Sequence, residues 1–260
     1  MNILDKIIAH KIEEVAVRKI MLTEEEMKDC SHFTRPCFSL KKNLLAENST
    51  GIIAEFKRRS PSKGFINQHA DAGAVTKAYT QFRASGLSIL TDHEFFAGNN
   101  EDLITARVNN IPILRKDFII DPYQVTEAKA IGADVILLIA SCLTIAQVKD
   151  LAAYAKELQL EVLLELHDET ELDHICNEID LVGINNRNLK TFDVDIHQSI
   201  LLSKSIPSGK VTIAESGISD PSNVQLLKNA GYKGFLIGEN FMKEKNPGKA
   251  FQNFVQKLHQ

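Results

Sequence analysis

Six titratable side chains stand at or just past the ends of short apolar runs. They are Glu55 and Lys57 after Gly51–Ala54, Lys116 after IPIL, Glu165 in EVLLELH, Arg187 after DLVGINN and Glu215 in KVTIAESG. Lysine and glutamate facing each other in a partly desolvated place can exchange protons near neutral pH when burial and neighbours tune them. The first run leads straight into EFKRRSPSKG, where Lys57, Arg58, Arg59 and Lys63 crowd around two serines, a proline and a glycine. A solvated turn does not need that much charge; a site for an anionic ligand does. Ser216-Gly217 and Gly238-Glu239 close the last two runs. Glycine lets a backbone approach a phosphate closely, and helix N-termini and backbone N–H groups bind it.

Each residue has a plainer reading. A lysine at a strand end is most often a solvated boundary charge, Lys-Arg-Arg a surface cluster, and Asn185-Asn186 a turn signal. Those readings would have to hold at every position together, which weakens them. His93, His167 and His174 fall on loops or helices without metal-ligand spacing, and the serines lack a histidine partner in a triad motif. Acid–base chemistry on an anionic substrate is the expectation.

The elements that must position these groups change character along the chain. Over residues 1–48, Ile3, Leu4, Ile7, Ile8, Ile12 and Val15 recur at helical spacing. Thr23 before three glutamates marks a second helix start, and a third helix is expected over Ser39–Glu47. From residue 51 onward come eight short apolar runs: GIIAEFK, LSILTD, IPILRKDF, DVILLIA, EVLLELH, DLVGINN, KVTIAESG and GFLIGEN. Continuous runs of this length suit strands buried on both faces of a parallel sheet. Amphipathic segments lie between them, several stopped by glycine at Gly86, Gly132 and Gly231. This predicts an α/β fold: a closed (β/α)₈ TIM barrel with an N-terminal helical extension over 1–48, in one domain over 1–260. An open doubly wound sheet would call for a Gly-x-Gly-x-x-Gly fingerprint after the first strand, and there is none. In a barrel the strand ends meet at one mouth, and the last two loops form the usual phosphate cradle. Glu55, Lys57, Asp92, Lys116, Ser141, Glu165, Asn185, Arg187, Glu215 and Gly238 are therefore expected to converge there.

The 260 residues are 44% hydrophobic and carry a net charge of −4. That balance gives no long-range attraction for nucleic acid or an anionic membrane. No apolar run approaches the ~20 residues of a membrane span. The four cysteines form no CxxC pair, so reduced thiols and a cytoplasmic location are expected.

Together these residues form a set that resembles the indole-3-glycerol phosphate synthase family. The blocks IIAEFKRRSPSKG, LTDHEFFAG, PILRKDFIID, LLELHDE, VGINNRNL, AESGI and FLIGENFM carry the resemblance over essentially the whole chain. The resemblance implies ring closure, decarboxylation and dehydration of 1-(2-carboxyphenylamino)-1-deoxyribulose 5-phosphate to indole-3-glycerol phosphate, in tryptophan biosynthesis. It implies a lyase that needs no metal or organic cofactor and acts on a small phosphosugar–anthranilate; a monomer is expected rather than an oligomer. By resemblance Lys116 is the general acid, Glu165 its partner in proton transfer, and Glu55 with Lys57 a second pair. Asn185 and Arg187 suit the carboxylate and hydroxyls, while Glu215 orients hydroxyls or its lysine neighbours. Ser60, Ser216, Gly217, Gly238 and the Glu239 backbone N–H form a phosphate cup, and Phe96 and Phe118 pack on the aryl ring. A phosphoribosylanthranilate isomerase would want a cysteine on the first strand, which is absent. A nucleic-acid binder would not place Glu55, Glu165 and Glu215 in the same mouth.

Overall fold

The computed structural model describes residues 2–187 and 194–258. Eight parallel strands close into a barrel: β1 (Ile52–Phe56), β2 (Gly86–Leu90), β3 (Ile113–Lys116), β4 (Val135–Ile139), β5 (Glu161–Leu166), β6 (Leu181–Asn185), β7 (Val211–Glu215) and β8 (Gly234–Ile237). Each strand pairs with its sequence neighbours, and β8 returns to β1 through Phe235 opposite Ile52. All eight coincide with the apolar runs.

The pleat sorts side chains by parity. One set, including Ile52, Ala54, Leu87, Ile136, Leu164 and Ile184, packs under the outer helices. The other, including Ile53, Leu114, Leu137, Leu163, Leu181 and Ile213, fills the barrel. Glu55, Lys57, Lys116, Glu165, Asn185 and Glu215 continue this inward set toward the C-terminal ends, so the strand period itself aims them at one place.

The N-terminal extension wraps the barrel from top to bottom. Its helices are α1 (Ile3–Met21), α2 (Glu24–Lys28) and α3 (Leu40–Leu45). A capping box between Thr23 and Glu26 starts α2, where the sequence places it. Ile3, Leu4 and Ile7 of α1 reach the mouth. Met27 of α2 joins Val15, Tyr123 and Ala130 in a small side core. Leu40 and Leu44 of α3 plug the bottom among the interior residues. Gly86 and Gly234 make room for that plug: a Cβ on them would stand 2.6 Å from Leu40 and 3.2 Å from Leu44. The Glu161 carboxylate accepts the backbone N–H groups of Leu40 and Lys41 at 2.8 and 3.0 Å, which holds the N-terminus of α3 under β5.

Two features depart from a plain strand–helix alternation. After β1, Arg59–Ser60 and Gly64–Phe65 form a two-stranded antiparallel ribbon. After β5, Glu169–His174 forms a 3₁₀ turn in place of an α-helix. Among the described residues, no helix is long and apolar enough to cross a membrane.

Candidate active site

A cavity of about 400 Å³ opens at the C-terminal ends of the strands. Its floor is apolar, from Leu90, Leu137, Ile139 and Leu236, and its rim is charged. The four residues expected to do acid–base work, Glu55, Lys57, Lys116 and Glu165, all line it. So do Ser60, Phe96, Phe118, Asn185, Arg187, Glu215, Ser216, Gly217, Gly238 and Glu239.

Lys116 sits between two carboxylates. Its Nζ donates to Glu165 Oε2 and to Glu215 Oε2, each at 2.8 Å. Lys57 Nζ lies 2.6 Å from Glu55 Oε1, a second pair beside the first. Glycines admit these side chains: a Cβ at Gly183 would collide with the Glu215 carboxylate, and one at Gly238 with Glu55. Asn185 Nδ2 donates to Glu165 Oε1 at 2.8 Å, and Asn185 Oδ1 accepts the Arg187 backbone N–H at 3.0 Å.

Burial sets the protonation pattern. Desolvation alone would lower the pKa of Lys116, but Glu165, Glu215 and Glu55 outweigh it, and the ammonium persists. Burial pushes the Glu165 carboxyl up, but Lys116 and then His167 hold it well below the usual carboxylate range. Glu215 goes the other way, up to about 7, because burial and the negative neighbours Glu165 and Glu55 exceed the help from Lys116. Two carboxylates around one ammonium thus divide into an anion and a group that can hold a proton near neutrality.

Ser60, Ser216, Gly217 and Gly238 form another part of the lining, a candidate anion cradle. Ser60 Oγ is buried there without a hydrogen-bond partner. Ser216 and Gly217 both take left-handed backbone, at φ 67° and 71°. For Ser216 that conformation costs on the order of 1 kcal/mol. Asn186 holds the loop in it, donating from Nδ2 to the Ser216 carbonyl at 2.8 Å and from its backbone N–H to the Glu215 carbonyl at 2.8 Å. Asn186 is therefore a brace, where the sequence offered only a turn. Arg187 stands over this part, 3.5 Å from Ser62 Oγ and 3.9 Å from Glu239 Oε2. Asn188 and Leu189 of the GINNRNL block lie outside the described residues. Phe96 and Phe118 pair at 6.0 Å between ring centroids, with 38° between planes, on another wall.

Some expectations need correction. Asp92 does not join the mouth. It is buried beneath α1, where it lies 3.0 Å from Lys11 Nζ and accepts the Phe95 backbone N–H at 2.8 Å. Lys11 also lies 2.9 Å from Asp117, so the two carboxylates anchor the helix over the cavity. Ser141 is exposed in the turn Ala140–Cys142, away from the cavity lining. The direction of Arg58 and Arg59, which the sequence left open, is away from the cavity lining: Arg58 pairs with Asp102, and Arg59 donates to the Glu94 carbonyl at 3.1 Å. His167, expected on a loop or helix, sits in the bend just past β5 and lies 3.2 Å from Glu165. Its only sequence signal was its place two residues after Glu165, on the same face of the strand.

The fold and site define a (β/α)₈ barrel with lysine–glutamate pairs at its mouth and with Ser216-Gly217 and Gly238-Glu239 of its last two loops in the same lining. The model of a family described as indole-3-glycerol phosphate synthase matches residues 4–254. An indole-3-glycerol phosphate synthase from Bacteroides thetaiotaomicron is 48% identical over 258 residues, covering 99% of each chain. One from Bordetella pertussis is 41% identical over 259 residues, covering 98% of this chain and 99% of its own. The chain belongs to the indole-3-glycerol phosphate synthase family. It also shares its fold with the 3-hexulose-6-phosphate synthase of Salmonella typhimurium. The TM-score is 0.63 at 12% identity, covering 80% of this chain and 98% of that one.

Proposed function

We propose that this protein converts 1-(2-carboxyphenylamino)-1-deoxyribulose 5-phosphate to indole-3-glycerol phosphate, carbon dioxide and water, with Lys116 as the acid at the reacting ketone. The observation that carries this reading is Lys116 held between Glu165 and Glu215 at 2.8 Å each, over an apolar floor. The ketone oxygen takes a charge-assisted hydrogen bond from the Lys116 ammonium. As the ring carbon bearing the carboxylate attacks the ketone carbon, negative charge grows on that oxygen and the ammonium stabilises and protonates it. Loss of carbon dioxide restores the aromatic ring. The new hydroxyl then leaves as water on receiving a proton, and loss of a proton from the neighbouring carbon forms the indole double bond. Glu165, ionised, accepts protons in this scheme, and Glu215, which can carry one near neutral pH, returns them.

The remaining residues bind and orient. Ser60, Ser216, Gly217, Gly238 and the Glu239 backbone N–H take the phosphate, and Ser60 Oγ supports this by being buried with no partner of its own. Phe96 and Phe118 flank the aryl ring, and Arg187 with Lys57 faces its carboxylate. Asn185 orients the hydroxyls, and Glu55 holds Lys57 in place. On this reading the enzyme works as a monomer on a diffusible small molecule in the cytoplasm.

The test is direct. Purified protein is mixed with the carboxyphenylamino-deoxyribulose phosphate, with chelator present, and indole fluorescence is followed. The native chain gives a rise, and Lys116→Ala loses nearly all of it while the far-UV circular dichroism of the barrel is retained. A Lys116→Ala protein with near-native turnover would overturn the assignment.

A further inference from the structure

His167 lies two residues beyond Glu165 and so keeps the inward direction of β5. Its side chain is only 12% exposed, yet it does not line the cavity. It stands behind Glu165, with Nε2 at 3.2 Å from Glu165 Oε1. Asn185 Nδ2 donates to that same oxygen at 2.8 Å. On the other side of the ring, Nδ1 lies 3.5 Å from Glu171 Oε2, and the same carboxylate oxygen accepts the His167 backbone N–H at 2.6 Å. Glu171 belongs to the 3₁₀ turn that replaces the fifth barrel helix. Nδ1 makes no hydrogen bond at that distance, and Asn185 Nδ2 also stands 3.5 Å from Nε2; a carboxylate on each side of the ring favours its doubly protonated form.

The surroundings of the two carboxylates on Lys116 differ for this reason. Glu165 meets Lys116, His167 and Asn185, whereas Glu215 meets Lys116 through Oε2 and leaves Oε1 without a partner. We propose that His167 is a positioning residue: an imidazolium braced by Glu171, it fixes Glu165 as the anion that faces Lys116 and so leaves the carboxyl proton of the pair on Glu215. This rests on the assignment of Lys116 and Glu165 made above. Without His167 only the Asn185 amide would set Glu165 apart from Glu215 beside the one ammonium, and the proton would be shared more evenly between them. With it, one is the base and the other the acid before substrate arrives.

The charged groups around the ring agree with this. Burial lowers the pKa of His167, but Glu165 and Glu171 raise it further, to about 10. Cys142, from the turn after β4, neighbours both glutamates, and burial followed by Glu165 pushes its thiol up to about 12, so it stays neutral. Lys116, Glu215 and Glu55 lie beyond Glu165.

Two variants and one spectrum test the proposal. His167→Gln removes the cation, and Glu171→Gln keeps the ring but removes its brace. Turnover is followed from about pH 5 to pH 9, and the ring nitrogens of the native protein are observed by ¹⁵N NMR over the same range. His167→Gln is expected to lower kcat at neutral pH about tenfold or more, with KM within about twofold. The basic limb of its pH profile, which reports the proton on Glu215 near pH 7, should move up by about one pH unit, because the two carboxylates have lost their second cation. Glu171→Gln should move it by less, and the native imidazole should remain protonated through about pH 8. A neutral ring at pH 7, or a loss of kcat with an unmoved pH profile, would overturn the proposal. Should His167→Gln not fold, Glu171→Gln and the native spectrum decide it. The spectrum needs no turnover, so a protonated ring in a protein whose Lys116→Ala variant stays active would sink the catalytic assignment and leave the clamp standing.

Discussion

Glu215→Gln separates stability from function at one buried atom. The Glu215 carboxyl is held at about 7 in the folded protein, against 4.5 for the free group, by burial first and by its negative neighbours after it. A carboxyl whose folded pKa is raised binds its proton more tightly in the native state. Stability is therefore fully present below about pH 4.5, falls as pH rises toward 7, and levels off above it. A rise from 4.5 to about 7 corresponds to about 3 kcal/mol, at ~1.36 kcal/mol per tenfold change in proton affinity. Water entering the cavity makes that an upper value. Glutamine cannot ionise, and it keeps an acceptor for Lys116. Urea unfolding at pH 4 and pH 8 should thus show Glu215→Gln gaining up to about 3 kcal/mol on the native protein between the two conditions. The same variant should lose about a hundredfold in kcat, since no proton returns from that position. A stability difference that does not change with pH would refute the claim that Glu215 carries the shifted proton.

Other perturbations reach the site through its supports. Lys11→Met leaves Asp92 buried without a cation, while Asp117 keeps Arg115; unfolding measurements should show a loss of about 3 kcal/mol, and a loss below about 1 kcal/mol would mean that Lys11 is not the anchor of α1. Gly183→Ala puts a Cβ where the Glu215 carboxylate stands. It should cut kcat about tenfold or more with the barrel intact by circular dichroism, and unchanged turnover would show that Glu215 need not sit there.

Much of the site was legible because a strand has a period of two. Once Ile53, Leu114 and Leu163 are read as inward-facing, Glu55, Lys116 and Glu165 must face inward as well. The same local logic misled at Asp92 and Ser141, which end their runs but leave the inward register. The chain bends there, at Asp92 to meet Lys11 of a helix 81 positions earlier. Arg58 and Arg59 could not be aimed from sequence either, since their partners Asp102 and Glu94 come from a different unit. His167 carried only its two-residue spacing from Glu165.

The sequence by itself determined most of the elements, the barrel, and which strand ends carry Glu55, Lys116, Glu165 and Glu215 into one mouth. Those follow from apolar periodicity, from caps such as Thr23, and from polar residues at strand ends, all properties of a few consecutive residues. Only the tertiary structure decided how the charges divide. Lys116 meets Glu165 and Glu215 across 49 and 99 positions of chain. Which carboxylate keeps a proton depends on burial and on a second cation, His167. Electrostatic energy in a dry site varies with distance and surroundings, and those exist only once the barrel has closed and α1 lies across its mouth.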